Sequence, residues 1–447
     1  MKRFVDDNET RKQGQPSRRS PNAADSGLVE YCCGIVATIL WFMPLSLQAE
    51  EAHMTGGFVR SEASQMLELS AELNEFGVPN IPAPDTSRWE AVSEGKDPAN
   101  SGKAAGGFGP FNNRWKLWRS KDGNDFVVVI RGTIYDADSI DEDLLANTLP
   151  DQTILIPAGK AKSISFRLAS ASYHGVDEEA KGWPVAEVHA GFAYGLAAIL
   201  FDQRFGLIKA LQALPEQSRL YVTGHSQGAA IATLLHSFLH YACADNKGEI
   251  AAEDRETFKD CARFGLNKKG FSIKSYVFAQ PKPGNWRYAM DFAQSIGNVG
   301  LSYTIDNYDD PVVQVPLAFQ LLSDSLTQQQ TDSLTKQHRI LDLLMRAAGG
   351  FRHFVSKGID EKILDDRFFK DNGAGPYADH IDEAYANGPA KKIAEWGSSL
   401  NYSPVGNVIS VRPHRDDNLE HYESTRKTDF LWEHHLWRYK QLAKYWP

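Results

Sequence analysis

RLYVTGHSQGAAIATLLHSF, residues 219–238, decides how the rest of the chain is read. Leu220, Tyr221 and Val222 make a short apolar run with the character of a buried strand. The chain then passes through Gly224, His225, Ser226, Gln227 and Gly228 and continues as AAIATLLHSFLHYA, a stretch of good helix formers. A serine inside G-x-S-x-G between strand and helix sits on a sharp, strained turn with its hydroxyl presented. Gly224 and Gly228 let strand and helix approach, and Ala229 and Ala230 keep the first helical turn thin. Ser226 Oγ is then expected above the helix N-terminus, where unpaired N–H groups and the helix dipole favour developing negative charge. The bare pentapeptide also fits a glycine-rich turn. Its flanks favour a nucleophile, which requires partners elsewhere in the chain.

Outward from this stretch, strands and helices alternate. Residues 60–77 have apolar positions at helical spacing and end in Gly77, a C-cap. Residues 78–110 read as a loop rich in Pro, Gly and Ser. RWKLWRS (114–120) and FVVVIRGT (126–133) predict a hairpin, the second strand apolar enough for burial on both faces. An acidic amphipathic segment covers 136–150, a strand-like SISFRLASASY follows, and AYGLAAILFDQRFGLIKALQAL (193–214) reads as helix. Residues 271–280 and 301–316 add strands, the second with Asp309 and Asp310 just beyond its end. Residues 317–400 read as a helical insertion or cap rather than sheet, 405–412 as a last strand, and 429–446 as a terminal helix. The pattern predicts an α/β fold with a mostly parallel central sheet and helices on both faces. Chemistry in such sheets gathers at the carboxyl ends of the strands, where Ser226 and Asp310 both fall.

Composition narrows the field. A chain 42% hydrophobic over 447 residues has material for a large core. A net charge of −9 with both signs interspersed gives no support for nucleic-acid binding. Residues 1–30 are polar and mixed in charge, the composition of a disordered segment. Residues 31–47 carry no charge, follow Arg18 and Arg19 and precede Glu50 and Glu51. This is the pattern of a signal peptide ending near Ala49, or of a membrane anchor, so a secreted or periplasmic protein is expected, or one anchored by 31–47. Cys243 and Cys261 flank a polar insertion and could pair as a disulfide in an oxidising compartment.

Serine is a weak nucleophile at neutral pH, so it needs an imidazole to take its proton and a carboxylate to orient that imidazole. Asp310 stands where the acid should, with Asp309 as the alternative. For the base, His414 and His421 lie in a charged loop, whereas His434 and His435 open a helix after the last strand.

IRGT (130–133), VHAGF (188–192), VTGHSQGAAIATL (222–234), YVFAQPKPGN (276–285) and DDPVVQVP (309–316) occur in the order and approximate spacing of the class 3, fungal-type lipases. The chain resembles that family over about residues 114–318, with a terminal histidine–helix motif after a gap. The resemblance implies an α/β-hydrolase fold: a core over 60–316, a helical insertion at 317–400, and completion by 401–447. It makes Ser226 the nucleophile and Asp310 the acid, because the family's aspartate lies six residues before a proline, here Pro316. The H-x-L-x-x-Y form of the motif fits His434 with Leu436 and Tyr439; the HLW form fits His435. His434 is preferred, with His435 as the alternative. Thr133 and the N–H of Gln227 take the places of the oxyanion donors, and 136–150, with Ile140, Leu144 and Leu145, that of a lid over an acyl groove. Gln227 departs from the usual leucine, and PKPGN from P-R-V-G-N. The implied activity is hydrolysis of carboxylic esters, acylglycerols foremost, without metal or cofactor. A short-chain or aromatic esterase, a phospholipase and a silent binding protein are the alternatives.

Overall fold

The computed structural model describes residues 54–74, 83–101, 106–123, 125–132, 148–150, 154–157, 162–169, 186–242, 260–316, 366–370, 373–377, 379–380, 401–412 and 431–447. The segment expected to be disordered (1–30) and the signal or anchor (31–49) lie outside these residues, as do Gly77 and Cys243.

Seven strands form the central sheet in chain order: β1 (Trp89–Gly95), β2 (Trp115–Ser120), β3 (Asp125–Ile130), β4 (Arg219–His225), β5 (Ser272–Phe278), β6 (Ser302–Asn307) and β7 (Asn407–Val411). β1, β2 and β3 pair antiparallel, and β3 through β7 run parallel. The expected hairpin is thus β2–β3, and Val127 to Ile130 have no exposed surface. β1 corrects the reading of 78–110 as loop. Its sequence, WEAVSEG, does not alternate apolar and polar residues, with Trp89 buried and Ala91 and Val92 exposed, so its period is weak and Pro and Gly nearby obscure it.

Alternate strand residues feed two cores. Val127, Val129, Tyr221, Tyr276, Phe278, Tyr303 and Ile305 face helix α1 (Arg60–Asn74) and the chain's last residues. Val128, Ile130, Leu220, Val222 and Val277 face α2 (Ala190–Phe201) and α3 (Gln227–Ala242). Every residue of α2 is buried, as expected of a helix apolar all round. The helix expected over 193–214 breaks after Phe201. There Asp202 Oδ1 accepts the N–H groups of Arg204 and Phe205 at 2.8 and 3.0 Å and turns the chain before a short helix at Ile208–Ala213.

The last residues are docked on α1's side of the sheet. The expected helix over 429–446 is a 3₁₀ turn (Trp432–His434), α4 (Leu436–Leu442) and a second 3₁₀ turn (Ala443–Tyr445). Trp446 stacks on Phe278 with ring centroids 5.9 Å apart, Lys440 Nζ meets Glu68 Oε1 at 2.6 Å, and Arg60 binds the Trp446 carbonyl.

Two small sheets lie outside the central one. Thr148–Pro150, Glu187–His189, Gly284–Asn285 and Tyr402–Ser403 form one. The last three residues of the acidic segment 136–150 are therefore strand. Ile154–Pro157, Lys162–Phe166 and Asp379–His380 form the other. Within 317–400, expected to hold no sheet, Asp379 and His380 pair with Ser163 and Lys162. A two-residue strand has too short a period to register in sequence. Arg367–Lys370 and Gly375–Tyr377 are helical, and most of the rest of 317–400 lies outside the described residues.

Trp446 is 1% exposed, so Trp446→Ala leaves a cavity beneath the docked tail. The expected loss is about 3–5 kcal/mol of folding stability, read by denaturant unfolding; an unchanged midpoint would show that the tail is not held by this contact.

Candidate active site

Ser226 follows β4 and precedes α3 with φ 58°, a left-handed backbone at a non-glycine residue. Its N–H donates to the Phe278 carbonyl at 3.0 Å, and its carbonyl accepts from the N–H groups of Ala229 and Ala230. A methyl group at Gly224 would overlap the Gly228 carbonyl, and one at Gly228 the Ile130 carbonyl. The two glycines therefore let β4, α3 and β3 close to backbone contact, and the serine is left at the bend.

His434, in the 3₁₀ turn before α4, reaches this bend. Its Nε2 lies 2.8 Å from Ser226 Oγ, and its Nδ1 lies 2.8 Å from Asp310 Oδ2. The side chain of His434 is 12% exposed and that of Asp310 fully buried. Asp310 stands three residues beyond β6. The N–H of Val312 donates to its Oδ1 at 2.8 Å, and the Tyr439 hydroxyl donates to Oδ2 at 2.7 Å. The Tyr439 oxygen in turn accepts the N–H of Asn307 at 3.0 Å. Burial, with the Asp310 carboxylate beside it, holds the Tyr439 phenol well above its ordinary value, so it remains a donor. A hydroxyl, an imidazole and a carboxylate in one hydrogen-bonded file can move a proton from oxygen to nitrogen as the oxygen attacks an electrophile.

The family model described as Lipase (class 3) matches residues 127–320. That segment holds Ser226 and Asp310, while His434 lies beyond it. The chain is a carboxylic ester hydrolase. Among solved structures it is similar to the lipase from Rhizopus microsporus var. chinensis (16% identity, 59% of this chain and 71% of that one, TM-score 0.34). It is also similar to the Lip2 lipase from Yarrowia lipolytica (17%, 59% and 77%, 0.35) and to M37 lipase (18%, 58% and 70%, 0.36). No curated protein matches the chain in sequence.

In the matched segment and the tail, the structure separates the paired candidates. Asp310 meets the histidine; Asp309 is exposed and donates its N–H to Asn307 Oδ1 at 3.2 Å. His434 meets the serine, whereas His435 stands one residue on, at the N-cap of α4. Gln227 is the first residue of α3, so its backbone N–H lies at the helix N-terminus. Thr133, His414, His421 and residues 136–147 of the lid lie outside the described residues. So does Cys243 of the expected disulfide with Cys261.

Several supporting residues went unread in the sequence. Asn74, the last residue of α1, accepts the Gly132 N–H at 2.8 Å and so holds the chain just before Thr133. Asn307 Nδ2 donates to the Glu433 carbonyl at 2.9 Å. Asp306 is buried, and its Oδ1 has no hydrogen-bond partner among the described residues. Asp306 and Asn307 at the end of a strand with all six residues buried were the available signal. Burial, with Asp310 nearby, pushes the Asp306 carboxyl up to about 8.

The raised carboxyl gives a stability profile with a defined sign. Between its ordinary value of 3.8 and about 8, the unfolded chain has released the Asp306 proton and the folded chain keeps it. The unfolded state then binds fewer protons, so this group makes stability fall as pH rises through that window and level off above it. Asp306→Asn removes the effect. Its urea midpoint is expected to gain on wild type between about pH 5 and about pH 8; a difference constant with pH would rule out a neutral Asp306.

Proposed function

We propose that the chain hydrolyses the ester bonds of acylglycerols through an acyl-enzyme on Ser226. His434 Nε2 takes the hydroxyl proton as Ser226 Oγ bonds to the ester carbonyl carbon. Asp310 holds the Nδ1–H and stabilises the imidazolium that forms. The tetrahedral oxyanion is received by the Gln227 N–H and by Thr133, two donors each worth about 3 kcal/mol. Collapse breaks the carbon–oxygen bond, and His434 returns its proton to the leaving alcohol. Water then gives a proton to His434 while adding to the acyl carbon, and a second collapse releases the carboxylic acid and restores the serine hydroxyl. No step calls for a metal or cofactor.

The observation carrying this reading is the unbroken file from Ser226 Oγ through His434 to Asp310, with both links at 2.8 Å. Ser226 is only 5% exposed, which supports a covered site that opens to substrate. The acidic segment 136–150, which carries Ile140, Leu144 and Leu145, is the cover in this reading. The uncharged run 31–47 supports export or anchoring, and with it contact with lipid outside the cytoplasm.

Ser226→Ala is expected to reduce turnover of a soluble p-nitrophenyl ester on the order of 10⁴-fold or more. Undiminished turnover, or organophosphonate labelling that persists in the variant, would defeat the assignment. His434→Ala is expected to match that loss and His435→Ala to fall within about tenfold of wild type; the reverse order would move the base to His435. Rates across acyl esters of increasing chain length, with and without an emulsion, decide the substrate. A preference for long chains at an interface is expected, and a rate confined to dissolved short or aromatic esters would replace lipase with esterase.

A further inference from the structure

The residue before the nucleophile has a partner that the triad does not use. His225 ends β4 with its ring buried, 3% exposed. Its Nε2 lies 2.7 Å from the backbone carbonyl oxygen of His434. A carbonyl oxygen only accepts, so Nε2 carries the proton. His225 Nδ1 has no hydrogen-bond partner among the described residues, so nothing holds a second proton there. Burial, with His434 and His435 close by, keeps the ring well below its ordinary value and therefore uncharged. The ring also packs against the base: centroids of His225 and His434 are 4.6 Å apart at 38°, and Tyr439 meets His225 edge-on at 5.9 Å.

The 3₁₀ turn bearing His434 is thus held by two side chains at the carboxyl edge of the sheet. Asn307, from the end of β6, takes the Glu433 carbonyl. His225, from the end of β4, takes the next carbonyl, that of His434 itself. The side chain of the base is aimed by Asp310, but its backbone is tied to the strand that delivers Ser226. Without that tie, the imidazole could keep its bond to Asp310 and still swing relative to Oγ.

We propose that His225 is a positioning residue for the base: its Nε2–H bond to the His434 carbonyl sets the distance across which the Ser226 proton moves. This rests on the assignment of Ser226 and His434 made above. It also gives the second residue of the GHSQG turn a task, one that its spacing from the serine does not suggest.

The test compares His225→Leu, which deletes the donor, with His225→Gln, whose side-chain amide can reach the same carbonyl. With a soluble p-nitrophenyl ester, His225→Leu is expected to lower kcat by about 10- to 100-fold, since a shift of about 1 Å in a catalytic group costs that much. KM is expected to stay within about twofold, because no group touching the substrate has changed. The rate of organophosphonate labelling of Ser226 falls in parallel, and His225→Gln recovers most of both losses. A packing role alone would lower the melting temperature equally in both variants without separating their kcat values. If His225→Leu does not fold, His225→Asn replaces it, since its amide is one methylene shorter and falls short of the carbonyl. Wild-type kcat in the donor-lacking variant, or equal kcat in the Gln and donor-lacking variants, overturns the proposal. Ser226→Ala is run alongside: activity there brings down both assignments, whereas a dead Ser226→Ala beside unimpaired His225 variants brings down the positioning role alone.

Discussion

Ser226 occupies a left-handed backbone conformation that costs about 1–3 kcal/mol at a residue with a side chain, and its surroundings leave it no other. Its N–H is committed to β5, its carbonyl to the first turn of α3, and the glycines on either side bring β3, β4 and α3 to backbone contact. Relaxing the serine would break these bonds or separate those elements, which costs more than the strain. The hydroxyl is therefore fixed at the carboxyl edge of the sheet before any partner arrives. Acid and base must be brought to it, and the remaining architecture is arranged accordingly.

The acid arrives locally, on the turn after β6, two strands from the serine. The base arrives from 208 residues away in sequence, which makes its delivery a problem of docking. Closing so long a loop costs little more than closing a shorter one, about 0.6 kcal/mol for each doubling of length. The cost lies in holding the end once it is there. Trp446 on Phe278, Lys440 on Glu68 and Arg60 on the last carbonyls hold the tail against α1 and the sheet. Asn307 and His225 then hold the turn itself. Tyr439 serves both ends: its ring belongs to the core beneath the sheet, and its hydroxyl bridges the Asn307 amide and the Asp310 carboxylate.

Charge at this edge is kept low. The two oxygens of Asp310 receive three hydrogen bonds, from His434, Tyr439 and the Val312 amide, enough to solvate one carboxylate away from water. A second buried carboxylate four residues earlier would oppose it, and burial keeps Asp306 protonated to about pH 8. His225, buried against the base, stays neutral for the same reason of desolvation.

Residues close in sequence made the strand–turn–helix at 219–242 legible, because its signal is local: an apolar run, small residues at the bend, then helix formers. The same holds for β2, β3, β5, β6 and β7. β1 was lost because its apolar and polar residues do not alternate, and the long helices expected at 193–214 and 429–446 were broken by Asp202 and by the turn that bears His434. Resemblance to the lipase family singled out Asp310 over Asp309 and favoured His434 over His435, but neighbours in sequence share the same local character and differ only in where they point. That direction is a property of the packed tail and of the register of β6, so tertiary structure alone decided it. The sequence by itself determined which chemistry the chain carries and on which strand ends it stands. Only folding decided which imidazole meets the hydroxyl and which carboxylate meets that imidazole, and that His225, Asn307 and Tyr439 contact the turn and the acid there. Hydrogen bonds across more than a hundred residues leave no periodic trace along the chain.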